Sequence, residues 1–118
     1  MHITITGVHL DITQAINDYV EEKIGSLSKF TGDGVVKVDV YLSKTTEHHV
    51  HGDIFKAEAN LHVDGKNLSA KTTSEDLYKS IDEVKDILAR ELTHHKDKKI
   101  SVFRRSAHKI KNLLKRGN

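Results

Sequence analysis

Nine histidines are the residues of this 118-residue chain whose chemistry first demands an account. His48, His49 and His51 crowd one polar stretch, with Glu47 and Asp53 beside them. Imidazoles and carboxylates are zinc ligands, but structural zinc needs a fixed tetrahedron, and a polar loop with this spacing supplies no rigid frame for one. His94 and His95 fall on adjacent faces of a helix and do not converge on one ion. Neither a metal nor any other cofactor is expected. Catalysis has no better footing. The chain contains no cysteine, no GxSxG elbow, no glycine-rich phosphate loop and no HExxH pair. Its carboxylates are spread along polar faces, and no enzyme is expected.

Charge is the more informative chemistry. Residues 98–118 hold eight Lys and Arg and no acid, whereas residues 1–97 hold all 17 carboxylates against 11 basic residues, a net charge of −6. The formal +2 of the whole chain hides this asymmetry, which points to a polyanionic partner, nucleic acid or an anionic membrane surface. In the tail, Phe103, Ala107, Ile110 and Leu114 form one apolar stripe at helical spacing. Arg104, Arg105, Lys109, Lys111, Lys115 and Arg116 take the other faces. Such a segment is marginal as an isolated helix. It suits ordering on RNA, a membrane surface or a protein groove, and RNA is the expectation here.

These charges need elements to position them. The length suits one domain. Met1 leads straight into alternating Ile3 and Ile5 with no secretion-signal pattern, and no apolar run nears the ~20 residues that span a bilayer, so a cytoplasmic location is expected. After that first strand, Asp11 or Thr13 can cap a helix, with Gln14 as capping-box partner of Asp11. Ile12, Ile16, Tyr19 or Val20, Ile24 and Leu27 carry the helix to about Lys29. Val36, Val38, Val40 and Leu42 alternate in a second strand, and Phe55, Ala57, Ala59, Leu61 and Val63 in a third. Asp64-Gly65 marks a hairpin into a fourth strand through Leu68, Ala70 and Thr72. Thr73 or Ser74 then caps a second helix with Leu77, Ile81, Val84, Leu88 and Leu92 on its apolar stripe.

The expected fold is α+β, in the order β-α-β-β-β-α. It has a single four-stranded mixed sheet and two parallel helices on one face. Residues 1–97 form the domain and 98–118 a basic tail. Both helices are acidic early and basic late, which complements the helix macrodipole and also gathers cations at one end. The open sheet face offers Lys37, Asp39, Lys56, Glu58, His62, Asn67 and Lys71 with Tyr41 its one obvious aromatic. That composition argues for backbone and shape recognition of RNA over stacking on bases.

Several segments are similar to the ribosome hibernation promoting factor family, short type. They are Ile3-Thr4-Ile5-Thr6-Gly7, Ile12-Thr13-Gln14-Ala15-Ile16 with Tyr19-Val20-Glu21-Glu22-Lys23, Ala57 to Val63, Asp76-Leu77-Tyr78-Lys79-Ser80-Ile81-Asp82, and Leu88 to Lys98. The resemblance implies a non-enzymatic factor in the messenger and transfer RNA channel of the small ribosomal subunit, against 16S rRNA and ribosomal proteins. Such a factor inhibits translation in stationary phase or stress and favours dormant, dimeric ribosomes, in some cases beside a second factor, ribosome modulation factor. It also implies rRNA contacts at Lys23, Lys29, Lys79, Arg90, His94, Lys96 and Lys98. Ser26 and Ile87 stand where relatives often carry Lys, with Lys85 a partial substitute on another face. The tail is basic, unlike the acidic-ended tail of the related ribosome-associated inhibitor. Lys99, Arg104, Arg105, Lys109 and Lys111 are therefore expected to supply further phosphate contacts. The rival readings are a generic double-stranded RNA-binding module and a membrane or protein adaptor acting through the tail.

Overall fold

The computed structural model describes residues 1–32, 34–46 and 52–94. Strand β1 (His2–Val8) leads to helix α1 (Gln14–Gly25) and a 3-10 turn (Ser26–Phe30). Strands β2 (Val36–Thr46), β3 (Asp53–Val63) and β4 (Lys66–Ser74) follow, and helix α2 occupies residues 77–94. The sheet order is β1-β2-β3-β4, with β1 parallel to β2 and the other pairs antiparallel. This is the α+β, four-stranded mixed sheet that the periodicities predict. Strands β1 and β4 run in the same direction, so the helices that follow them also run in one sense. The Asp64-Gly65 turn has positive φ at both residues, 50° and 72°, as a two-residue primed hairpin requires.

Side-chain parity explains the core. On the inner face the register aligns Ile5, Val40, Ala59 and Ala70 in one row, and Ile3, Val38, Leu61 and Leu68 in the next. Ala57, Ala59 and Ala70 are small and buried; they leave room for the helices to approach. Ile16, Val20, Ile24 and Leu27 from the first helical segment and Leu77, Ile81, Val84, Leu88 and Leu92 from α2 close over them in one hydrophobic cluster. Burying each of these aliphatic side chains is worth roughly 1.5–3 kcal/mol. Both helices share that cluster, so both lie on the same sheet face. The outer rows are polar: His2, Lys37, His62 and Asn67 in one, Thr4, Asp39, Asn60 and Ser69 in the next.

Three local expectations are corrected. Thr13 caps α1, its hydroxyl accepting from the Ile16 N–H at 3.2 Å, while Gln14 bonds Asp18 at 2.7 Å instead of serving a box with Asp11. The α-helix stops at Gly25, where Ser26 donates its hydroxyl to the Lys23 carbonyl at 2.6 Å and the chain tightens into the 3-10 turn. Helix α2 starts later than Thr73 or Ser74, because β4 keeps pairing through Ser74 opposite Phe55. Asp76 is the cap: its carboxylate accepts from the Tyr78 N–H at 3.0 Å, and its own N–H donates to the Ser74 hydroxyl at 3.2 Å. The last turn that the sequence pattern gives this helix, and the tail, lie outside the described residues.

Candidate nucleic-acid interface

The expected contact residues that the structure describes sit on the helical segments, and local packing sets the environment of each. Lys23 lies one turn beyond Tyr19 on α1, and its ammonium sits 5.5 Å from the centre of the Tyr19 ring. Lys29, in the 3-10 turn, places its ammonium 5.1 Å from the Phe30 ring. On α2, Lys79 and Arg90 are exposed, Lys85 is half-buried with its ammonium 3.5 Å from Asp86, and His94 is exposed at the end of the described helix. Eleven residues make three helical turns, so Lys79 and Arg90 share a ridge but stand about 16 Å apart along the axis. Lys79 therefore belongs to the early part of α2, away from the basic end that Arg90 and His94 share. Lys96, Lys98, Lys99, Arg104, Arg105, Lys109 and Lys111 lie outside the described residues, as do His48, His49 and His51. Among the described residues no group of His and carboxylate side chains is arranged to hold a metal.

Ion pairs among the described residues occur on both the sheet and α2. On the sheet, Lys44 pairs with Asp53 at 3.2 Å and Lys56 with Glu58 at 3.9 Å. His62 lies 3.9 Å from Asp39 and bonds Asn67 through Nδ1. Among the described residues, the ion pairs do not engage Lys23, Lys29, Lys79 or Arg90. A phosphate approaching those cations need displace none of these paired carboxylates, and the same pairs leave Lys37 and Lys71 on the outer sheet face unengaged. Tyr41 is 40% exposed on that sheet face, where no second aromatic adjoins it in the outer rows.

Ser26 and Ile87, the two positions expected to depart from the family pattern, each have a structural role. Ile87 packs against the core on the β4 flank of α2, and with Thr72, Glu83, Asp86 and Arg90 it lines a shallow cleft of about 240 Å³. Ser26 commits its hydroxyl to the C-terminus of α1. Lys85 lies on the other flank. It shares that flank with Tyr78, Asp82 and Ala89 at helical spacing, and Tyr78 and Asp82 are the residues that touch α1.

Those contacts form a node absent from the site that the sequence predicts. The Tyr19 hydroxyl donates to the Asp82 carboxylate at 2.6 Å across 63 positions of chain. The Tyr19 and Tyr78 rings meet edge to face, with centroids 4.8 Å apart and planes at 86°. The hydrogen bond to Asp82, then partial burial, then the nearby carboxylates of Asp82, Glu22 and Asp76 push the Tyr19 hydroxyl up to about 12. The signal in the sequence is faint: a tyrosine at the border of the apolar stripe with a lysine four residues on.

Among the described residues, a mixed sheet with both helices on one face, and Lys23, Lys29, Lys79 and Arg90 outside the ion pairs, define a class of protein. It is a small α+β domain with cations on its helical face. Comparison with known proteins gives the family. The family described as Sigma 54 modulation protein / S30EA ribosomal protein matches residues 3–100, and this chain belongs to it. The sequence is 41% identical over 100 residues to the ribosome hibernation promoting factor of Azotobacter vinelandii, covering 85% of this chain and 87% of that one. It is 36% identical over 98 residues to the ribosome hibernation promoting factor of Escherichia coli strain K12, covering 83% of this chain and 96% of the relative. A ribosome hibernation promotion factor of a Picosynechococcus strain is 38% identical over 98 residues, but the chain spans only 50% of that protein's length. Among solved structures, the N-terminal domain of Thermus thermophilus Protein Y superposes with a TM-score of 0.69 at 31% identity, covering 80% of this chain and 99% of that domain.

Proposed function

We propose that this chain is a ribosome hibernation factor that acts by occupancy. In this reading it binds the small ribosomal subunit in the channel used by messenger and transfer RNA, inhibits translation in stationary phase or stress, and favours dormant, dimeric ribosomes. Its partners are 16S rRNA and ribosomal proteins, with ribosome modulation factor a candidate second factor for dimerisation. It works in the cytoplasm and turns over no substrate. The family match over residues 3–100 and the relatives named as ribosome hibernation promoting factors support this reading. The observation that carries it is the set of helix-borne cations Lys23, Lys29, Lys79 and Arg90, which the ion pairs among described residues leave available to phosphates. The domain, residues 1–97, makes the shape-fitted contact. The tail, residues 98–118, adds phosphate neutralisation through Lys98, Lys99, Arg104, Arg105, Lys109 and Lys111.

Co-sedimentation of the full chain and of residues 1–98 with purified ribosomal subunits, over a salt series, tests both parts. The expected result is small-subunit binding by both, weaker for the truncation. The salt slope should flatten by about 0.7–0.9 for each phosphate that the truncated protein no longer neutralises. An unchanged slope removes the tail from the interface. If neither protein sediments with subunits while naked duplex RNA or anionic vesicles capture the full chain, the ribosomal reading is overturned.

A further inference from the structure

Lys23 carries its charge on a flexible four-carbon stem, and engaging a phosphate with such a side chain costs the entropy of holding it still. Here that stem has a guide. The ammonium lies over the Tyr19 ring at 5.5 Å, within the range at which a ring face attracts a cation. The ring is fixed in turn from the other helix, by the 2.6 Å hydrogen bond to Asp82 and the edge-to-face contact with Tyr78. Tyr19 thus refers the position of a cation on α1 to the frame of α2, which bears Lys79, Lys85 and Arg90.

We propose that Tyr19 is a positioning residue for the polyanion interface: itself fixed from α2, it holds the Lys23 ammonium where that cation meets an RNA phosphate backbone. The proposal rests on the ribosomal reading above and deepens it. Lys23 touches the phosphate, and Tyr19 acts through Lys23. The bland alternative is that Tyr19 merely packs the helices together and supports the fold wherever the RNA binds.

A double-mutant cycle separates the two, because coupling survives only between residues that act together. Small-subunit binding is measured for the full-length protein, for Tyr19→Leu, for Lys23→Ala and for the double variant, with thermal unfolding followed on each. Tyr19→Phe keeps the ring and removes only the hydroxyl. Tyr19→Leu should weaken binding about 2- to 5-fold, the scale of a single cation–ring interaction. In the Lys23→Ala background the same change should have little further effect. Tyr19→Phe, which retains the ring face, should weaken binding less than Tyr19→Leu. Equal effects in both backgrounds, or no effect of Tyr19→Leu, overturn the proposal while leaving small-subunit binding by the unsubstituted protein intact. Failure of the unsubstituted protein to bind subunits overturns the ribosomal reading, and this inference falls with it.

Discussion

Tyr19 shows how one hydroxyl reports on the packing of two helices. Its proton is held by Asp82 in the folded chain, so its pKa rises from 10.0 to about 12. A group whose folded pKa is raised contributes stability that is fully present below the unfolded pKa and lost as pH climbs through the folded one. The contribution of this bond should therefore persist to about pH 10 and fade as pH rises from there to about 12. Ultraviolet titration of tyrosinate is a clean measurement in a chain with three tyrosines and no tryptophan. One of the three should ionise late, and Asp82→Asn should move its ionisation to lower pH, since the Asp82 hydrogen bond is the largest cause of the rise. A late tyrosine that survives Asp82→Asn would sever the assignment to this hydrogen bond.

Junctions between elements show why certain positions tolerate only one residue. Gly7 is the last residue but one of β1, just before the chain folds back sharply through His9, which has φ of 56°. A Cβ built on Gly7 would collide with the Leu10 carbonyl oxygen and lie 3.0 Å from the Ile12 side chain. The nearest obstacle is backbone, which cannot swing aside like a side chain. Gly7→Ala should therefore destabilise the fold by roughly 1–3 kcal/mol, the usual cost of overpacking, and chemical denaturation measures it. A change within error would mean that the β1–α1 connection relaxes freely. Ser80, wholly buried, secures the opposite junction. Its hydroxyl donates to the Phe55 carbonyl at 3.0 Å, and its carbonyl accepts from the Thr72 hydroxyl at 2.9 Å, so the first turns of α2 are tied to both β3 and β4.

At the scale of the molecule, charge is divided unevenly along the chain. Residues 1–97 carry a net −6 while the chain as a whole carries +2. In the proposed reading, a negative body disfavours indiscriminate RNA, and binding requires that the helix cations match a phosphate pattern. Residues 1–97 should accordingly bind the small subunit more tightly than a plain RNA duplex in the same salt, measured by competition. Equal affinities would favour a generic duplex-binding module. The full chain, with eight additional cations at residues 98–118, should gain affinity for both targets and lose some of that preference.

The order of elements, the inward and outward parity of every strand and the split between acidic body and basic tail follow from the sequence alone. Strand alternation and helical spacing are local periodicities, and Asp64-Gly65 needs only its own backbone freedom to turn. Charge counting needs no structure at all. Tertiary packing decided the rest. It chose Thr13 over Asp11 as the cap of α1, delayed α2 to Asp76 because β4 still had Phe55 to pair with, and drew Ile87 against the core. It also joined Tyr19 to Asp82 and Tyr78, and so gave Lys23 its place. Each of those outcomes depends on how closely separate elements approach one another. No local pattern states that distance, because it is set by the summed volumes of side chains from every layer of the core.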